Sequence, residues 1–264
     1  VIFRVEDVRF CYPGDHVALD GVSFAVFEGE AVCLLGSNGC GKSTLLRLLD
    51  GLAFPTEGRI EAWGRPLVPA TLEDEGFARE FRRRTALLFQ DPDVQLFSPT
   101  VLDEVAFAPL QLGLSAEETR ERCRDVLALL GIERLAAREP HLLSGGEKKR
   151  VAIAAALATD PAVLLLDEPF AGLDPRSQAR LVELLQGLRA RGKTIVAATH
   201  DLSAVEEIAE RAIVLSEDHR VLADAPAGAV LRDTALLLRA NLVHEHPHAH
   251  GGVTHTHPHG HSGN

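Results

Sequence analysis

The sequence is short of positive charge: 27 Lys and Arg stand against 38 Asp and Glu, a formal net charge of −11 at pH 7. Broad nucleic-acid binding draws on clustered cations that release counterions, so this balance argues against nucleic acid as a partner. Cysteine is scarce too. Cys11, Cys33, Cys40 and Cys123 form no CxxC pair and show no framework spacing. That excludes a disulfide scaffold and fits a reduced, cytosolic setting. No apolar run approaches the roughly 18–20 residues that span a bilayer. Runs such as AVCLL and AVLLL have strand length instead. The N-terminal VIFRVEDVRF mixes charged and apolar residues from the start and does not read as a secretory signal. No internal repeat stands out.

What is present is ordinary for a folded core: 46% hydrophobic and 25% charged residues over 264 positions, enough for one large domain or a domain with an inserted lobe. Residues 2–12 alternate in part, with Val8, Phe10 and Tyr12 on one face, which predicts a half-buried strand. A second strand is expected at 22–27. AVCLLG (31–36), 85–89, AVLLLDEP (162–169) and TIVAATH (194–200) are short apolar runs that end in glycine or polar residues, as strands buried on both faces do. Strands of this kind alternating with helical segments predict an α/β fold with a mostly parallel sheet, whose ligands sit at the carboxyl ends of the strands. Between about 92 and 150 the pattern turns helical, with helices expected at 101–112 and, opened by the capping box Ser115-x-x-Glu118, at 115–130. A strand at 212–215, a hairpin turn at 217–220 and a helix over 234–242 follow.

Three stretches carry chemistry. GSNGCGKST, spanning Gly36, Ser37, Asn38, Gly39, Cys40, Gly41, Lys42, Ser43 and Thr44, satisfies G-x-x-x-x-G-K-[ST] between a buried strand and a helical run. Its glycines let backbone N–H groups wrap a phosphate, Lys42 adds a point charge, and the Ser43 hydroxyl suits Mg2+. In LLLDEP, Asp167 and Glu168 follow a buried strand, where unpaired charge is expensive. Asp167 suits the Mg2+ shell and Glu168 the role of general base toward an attacking water. LSGGE places Ser144, Gly145, Gly146 and Glu147 in a capping box, and so makes a second helix start able to meet a phosphate. A spare anion site makes sense if it serves a nucleotide held by another copy of the chain.

The order Tyr12, GSNGCGKST, Gln90, LSGGEKKR, VLLLDEP, AGLD, His200 resembles the nucleotide-binding subunit of ATP-binding cassette transporters over residues 2–240. The resemblance implies a P-loop NTPase (RecA-like) core with a mostly parallel sheet, an N-terminal antiparallel β part and an inserted α-helical subdomain at about 92–150, all within residues 1–243. It implies ATP with Mg2+, bound head to tail between two subunits, either a homodimer or a pair with a closely related ATPase. On that reading Tyr12 stacks on adenine, Gln90 lies near Mg2+ and the water, and His200 contacts the γ-phosphate. Ser144, Gly145, Gly146, Glu147 and Asp174 reach the nucleotide of the other copy. Cys40 beside Lys42 and a helix start has the placement of a thiol with a lowered pKa. The leading reading of Cys40 is a small neutral filler; on the other, alkylation there blocks ATP binding and ATP protects it. The departure from the commoner SALD or SGLD to AGLD puts little in doubt.

FQDPDVQLFSPTVLDEVAFAP (89–109) is similar to the coupling segment of energy-coupling-factor transporter ATPases, cobalt and nickel importers in particular. That implies a peripheral place on the cytoplasmic face of the membrane, beside a membrane T-component and a substrate-binding membrane subunit, with Asp93 and Gln95 as contact candidates. A vitamin importer of the same type is the alternative. A non-transport cassette ATPase is disfavoured by the acidic charge and the 89–109 segment, and a vestigial metal-storage cassette by intact Lys42, Glu168 and His200. The tail, 244–264, is low in complexity and expected to be disordered. It carries His244, His246, His248 and His250, then His255, His257, His259 and His261. Alternate side chains of an extended chain share a face, so each quartet can offer several imidazoles to one ion, Ni2+, Cu2+, Zn2+ and Co2+ alike. The resemblance to cobalt and nickel importers implies Ni2+ or Co2+, and the other reading is a tail with no duty.

Overall fold

A computed structural model describes the backbone of residues 1–250 and 253–260 and the side chains of residues 1–243. The chain forms two compact units, Val1–Leu67 with Ala197–Asn264, and Val68–Val196.

The first unit opens with an antiparallel sheet. Strand β1 (Phe3–Tyr12) pairs with β2 (His16–Val26), in register Phe3↔Val26 and Val5↔Phe24. Strand β3 (Ala31–Leu35) follows, all five residues buried, and a loop leads from it into helix α1 (Lys42–Leu49). Strands β4 (Glu57–Ala62) and β5 (Arg65–Pro66) then complete the antiparallel sheet on the other side of β1. Strand β2 begins six residues earlier than its sequence suggests. Gly21 reads as a strand break, yet here it sits at φ 67° beside register shifts that flank the Val8↔Val22 pair. A glycine in a strand marks a bulge as readily as an end. The shifts also undo the single face expected of β1, for Val8 is fully buried while Tyr12 is 37% exposed.

In the second unit, helices α2 (Pro69–Leu72) and α3 (Glu75–Arg84) lead into strand β6 (Thr85–Leu88). Helices α4 (Val101–Gln111), α5 (Ala116–Leu129) and α6 (Gly145–Leu157) pack on one another. Among the described residues no strand lies between 92 and 150. The Ser115–Glu118 capping box opens α5: Ser115 N–H donates to Glu118 at 2.8 Å, and Glu118 N–H to the Ser115 hydroxyl at 3.2 Å. Strand β7 (Val163–Asp167) is buried throughout and runs parallel to β6, Thr85↔Val163 to Leu88↔Leu166. Helix α7 (Pro175–Ala190) comes next.

Strand β8 (Thr194–Thr199) carries the chain back to the first unit. Helix α8 (Leu202–Ile208) and strands β9 (Arg211–Leu215) and β10 (Val221–Pro226) follow, then α9 (Ala227–Arg232) and α10 (Thr234–Arg239). Strand β9 runs parallel to β3 and antiparallel to β10, and Ser216 N–H closes the expected turn on Arg220 O at 2.9 Å. Arg211 fastens the corner, reaching Glu30 and the Ala25 carbonyl at 2.9 Å each and Asp224 at 2.5 Å. Beyond it, the backbone of Val243–His250 pairs antiparallel with that of Val253–Gly260, where the sequence leads one to expect no structure. A lone two-stranded ribbon is marginal in water.

Candidate nucleotide site

The carboxyl ends of the buried strands hold the polar residues, each unit contributing its own. At the end of β3 the loop 36–41 has a shape only glycine permits. A Cβ on Gly36 would stand 2.5 Å from Cys40 Sγ and 2.8 Å from Leu215 O. Gly41, at φ 110°, has no room either, for its Cβ would overlap the Ala18 carbonyl oxygen and sit 2.8 Å from Leu19 Cδ2. The loop closes through Cys40 N–H on Ser37 O, leaving Asn38 and Gly39 exposed. Lys42, 6% exposed, folds over it and donates to Gly36 O at 2.7 Å and Ser37 O at 3.1 Å. The ammonium thus lies against the loop that Asn38 and Gly39 present, a cradle for phosphate oxygens. Ser43 is half-buried at the start of α1.

Cys40 is only 1% exposed, its sulfur packed beneath Gly36. This burial supports the filler reading, because reactivity needs access as well as a low pKa. Cys33, deeper still, has its thiol pushed up to about 12 by burial. None of the four cysteines is in a disulfide. The Tyr12 hydroxyl lies 3.0 Å from Thr44 Oγ1 and accepts from Arg47 at 3.3 Å, while its ring meets Phe10 edge-on at 5.0 Å. That tethers a half-exposed aromatic ring to the start of α1. His200 stands half-buried just past β8, where Asp201 caps α8 by accepting from Ser203 N–H at 3.0 Å.

In the second unit, β7 delivers Asp167 and Glu168, each 5% exposed. Glu168 takes φ 44°, a left-handed conformation that costs a non-glycine residue about 1–3 kcal/mol and recurs at functional sites. Gln90 follows β6 and is exposed. Asp174 caps α7: the Ser177 hydroxyl at 2.6 Å and N–H at 3.0 Å hold its carboxyl below the usual range. Ser144 and Gly145 open α6 to solvent, with nothing within 4 Å of a Cβ on Gly145. Glu147 folds back on Ser144, accepting from its N–H at 3.1 Å and its hydroxyl at 2.9 Å. These bonds, the N–H first, hold its carboxyl below the usual range.

The two coupling candidates are engaged inside the chain. Asp93 pairs with Lys148 at 2.6 Å. Gln95 accepts from Phe89 N–H at 3.2 Å and donates to Ala152 O at 3.4 Å. Beside the exposed Asp93 the segment presents apolar groups: Val94 is 70% exposed and Phe97 67%, with Phe97 edge-on to the exposed Phe107 at 4.9 Å. Buried Glu104 holds that arrangement by accepting from Phe97 N–H at 2.9 Å and Ser98 N–H at 2.8 Å. Sequence reasoning passes over Lys149, which is 2% exposed and donates to Phe89 O at 3.3 Å and Gln90 O at 3.0 Å. Burial pushes its ammonium down to about 8 against the opposing pull of Asp167, Glu168 and Asp91. Its only sequence signal is a second lysine in LSGGEKKR.

Residues 19–171 match the ABC transporter family. The chain belongs to that family. It is 50% identical over 244 residues to the nickel import ATP-binding protein NikO of Rhodobacter capsulatus, covering 91% of this chain and 95% of the relative. It is 46% identical to the cobalt import ATP-binding protein CbiO of the same organism, over 91% of this chain and 84% of that one. Among solved structures, cbiO1 of Clostridium perfringens, part of the ABC transporter complex cbiONQ, superposes with a TM-score of 0.76 at 36% identity, covering 91% and 94% of the two chains. The dimeric cassette MJ0796, in a post-hydrolysis state with ADP and Pi, does so with a TM-score of 0.78 at 31% identity over 86% and 99%. The fold is that of ABC ATPases, and the chain is an ATP hydrolase of this family, whose members use ATP with Mg2+. Among the described residues no helix is long and apolar enough to cross a membrane. The histidine side chains of the tail lie outside the described residues.

Proposed function

We propose that this chain is the ATP-hydrolysing subunit of a membrane importer for nickel or cobalt ions. The observation that carries the cargo class is the likeness, over nine-tenths of the chain, to import ATP-binding proteins for those two metals. It works as a dimer, a homodimer or a pair with a related ATPase, peripheral to the cytoplasmic face of the membrane and attached to a T-component and a substrate-binding membrane subunit. The exposed Val94, Phe97 and Phe107 suit an apolar partner of that kind, and Asp93 lies beside them. The tail histidines serve as a landing site for Ni2+ or Co2+ outside the transport path.

In this reading Tyr12 stacks on adenine and the loop from Gly36 to Thr44 wraps the phosphates, Lys42 shifting from its carbonyl partners to the phosphate oxygens. The glycine-shaped cradle and the buried Lys42 support that fit. Bound Mg2+ supplies charge neutralisation at the phosphates, with Ser43, Asp167 and Gln90 as its holders. Glu168 takes the proton of the attacking water and His200 orients the pair. Ser144, Gly145, Gly146, Glu147 and Asp174 complete the site of the other copy. The test is Glu168→Gln. ATP binding stays, a stable ATP-bound dimer accumulates on gel filtration, and turnover falls by about 100-fold or more, as for loss of a general base. Turnover within twofold of the parent removes Glu168 from that role.

A further inference from the structure

The segment that carries Gln90 is fastened to the signature helix α6 at three places. Lys148 pairs with Asp93 at 2.6 Å. Lys149 donates to the carbonyls of Phe89 and Gln90. Gln95 bridges Phe89 N–H to Ala152 O, one turn further along the helix. Two of these ties sit at or near the surface. Lys149 does not: it is 2% exposed, on a helix that also buries Val151, Ala152 and Ile153, and the carboxylates of Asp167, Glu168 and Asp91 pull on its charge. Burying an ammonium is costly, and a hydrophobic residue of similar length usually serves a core at least as well. A lysine at this place therefore needs a reason other than stability. Its two hydrogen bonds give one, since both go to the backbone that sets where Gln90 points.

We propose that Lys149 is a positioning residue for ATP hydrolysis: it locks the Gln90 peptide to the helix whose first residues meet the other copy's nucleotide. The inference rests on the proposed place of Gln90 beside Mg2+ and water. Lys149 is buried and acts through the backbone of Phe89 and Gln90, which separates it from the residues assigned above.

The experiment compares the purified parent chain with K149M, K149R, Q90A and the double variant K149M/Q90A in steady-state ATPase assays, with thermal unfolding alongside. K149M is expected to lower kcat about tenfold while KM for ATP stays within about twofold, the split expected when geometry rather than binding is lost. K149R, which keeps the charge and the donors, recovers most of kcat. The double variant is no slower than Q90A, because both lesions act through one side chain. Should K149M not fold, K149Q takes its place throughout. Parent-like kcat in the folded variant, no rescue by K149R, or independent multiplication of the two lesions overturns the proposal. Parent-like kcat in Q90A overturns it by a different route, since the reading of Gln90 then fails first.

Discussion

Gly41→Ala forces a side chain into a backbone turn that has no space for one. At φ 110° the residue lies outside the regions a β-carbon tolerates, a strain of about 1–3 kcal/mol. The added carbon would also overlap Ala18 O and stand 2.8 Å from Leu19 Cδ2. Both belong to β2, whose backbone is held in the sheet by β1, so the strand cannot simply retreat. Overpacking of this kind costs about 1–3 kcal/mol. Together these give about 2–6 kcal/mol, a drop in melting temperature of roughly 5–20 °C for a chain of this size. Gly39→Ala is the control. Its φ is 86°, but a Cβ there meets nothing within 4 Å, which leaves only the left-handed penalty of about 1–2 kcal/mol. Scanning calorimetry without nucleotide reads both. If Gly41→Ala melts no lower than Gly39→Ala, the loop is not braced against β2 as described.

Two further outcomes follow from local chemistry. Ser115→Ala removes the cap of α5 and costs about 1 kcal/mol. The Glu118 carboxyl is held below its usual range, chiefly by the Ser115 hydroxyl and then its N–H. Its contribution is therefore complete above the unfolded pKa and lost as pH falls through the folded one. The difference between parent and variant in urea unfolding should be largest at pH 7 and narrow as pH falls below about 4, leaving the bond from Glu118 N–H to the Ser115 hydroxyl. A difference that does not change with pH would place the effect elsewhere. Truncation after Val243 should leave ATPase activity unchanged and lower the Ni2+ or Co2+ retained per chain in equilibrium dialysis. Equal retention would deny the tail histidines a metal role.

Features fixed by a few neighbouring residues were legible in the sequence. The two capping boxes need only a serine and a glutamate three apart, and both form as read. The phosphate loop is similar: β3 ends at Leu35, and the next residue is glycine where a Cβ would strike Cys40 four residues on. Buried strands announce themselves by composition, so the carboxyl ends that carry Asp167 and Gln90 could be placed before any coordinates. The start of β2 could not, since a glycine ends a strand or bulges it depending on what the partner strand does.

The remaining gaps share one cause, which is that a polar residue's partner lies far along the chain. Asp93 and Gln95 look like surface polar groups beside an interface, because sequence shows their polarity and not Lys148 and Ala152, more than fifty positions on. Those partners engage them within the chain, with Asp93 still exposed in its pair, and beside it the segment also exposes Val94 and Phe97, an apolar component that its polar residues do not announce. Lys149 is the same problem in reverse. A lysine in a helix reads as solvated until the helix is turned and packed, when Val151 and Ala152 prove to be buried and Lys149 with them. Charge on the page marks where a side chain needs a partner. Whether that partner is water, a ligand or the chain's own groups is settled only by packing, and here packing gave two candidates partners within the chain and produced a third.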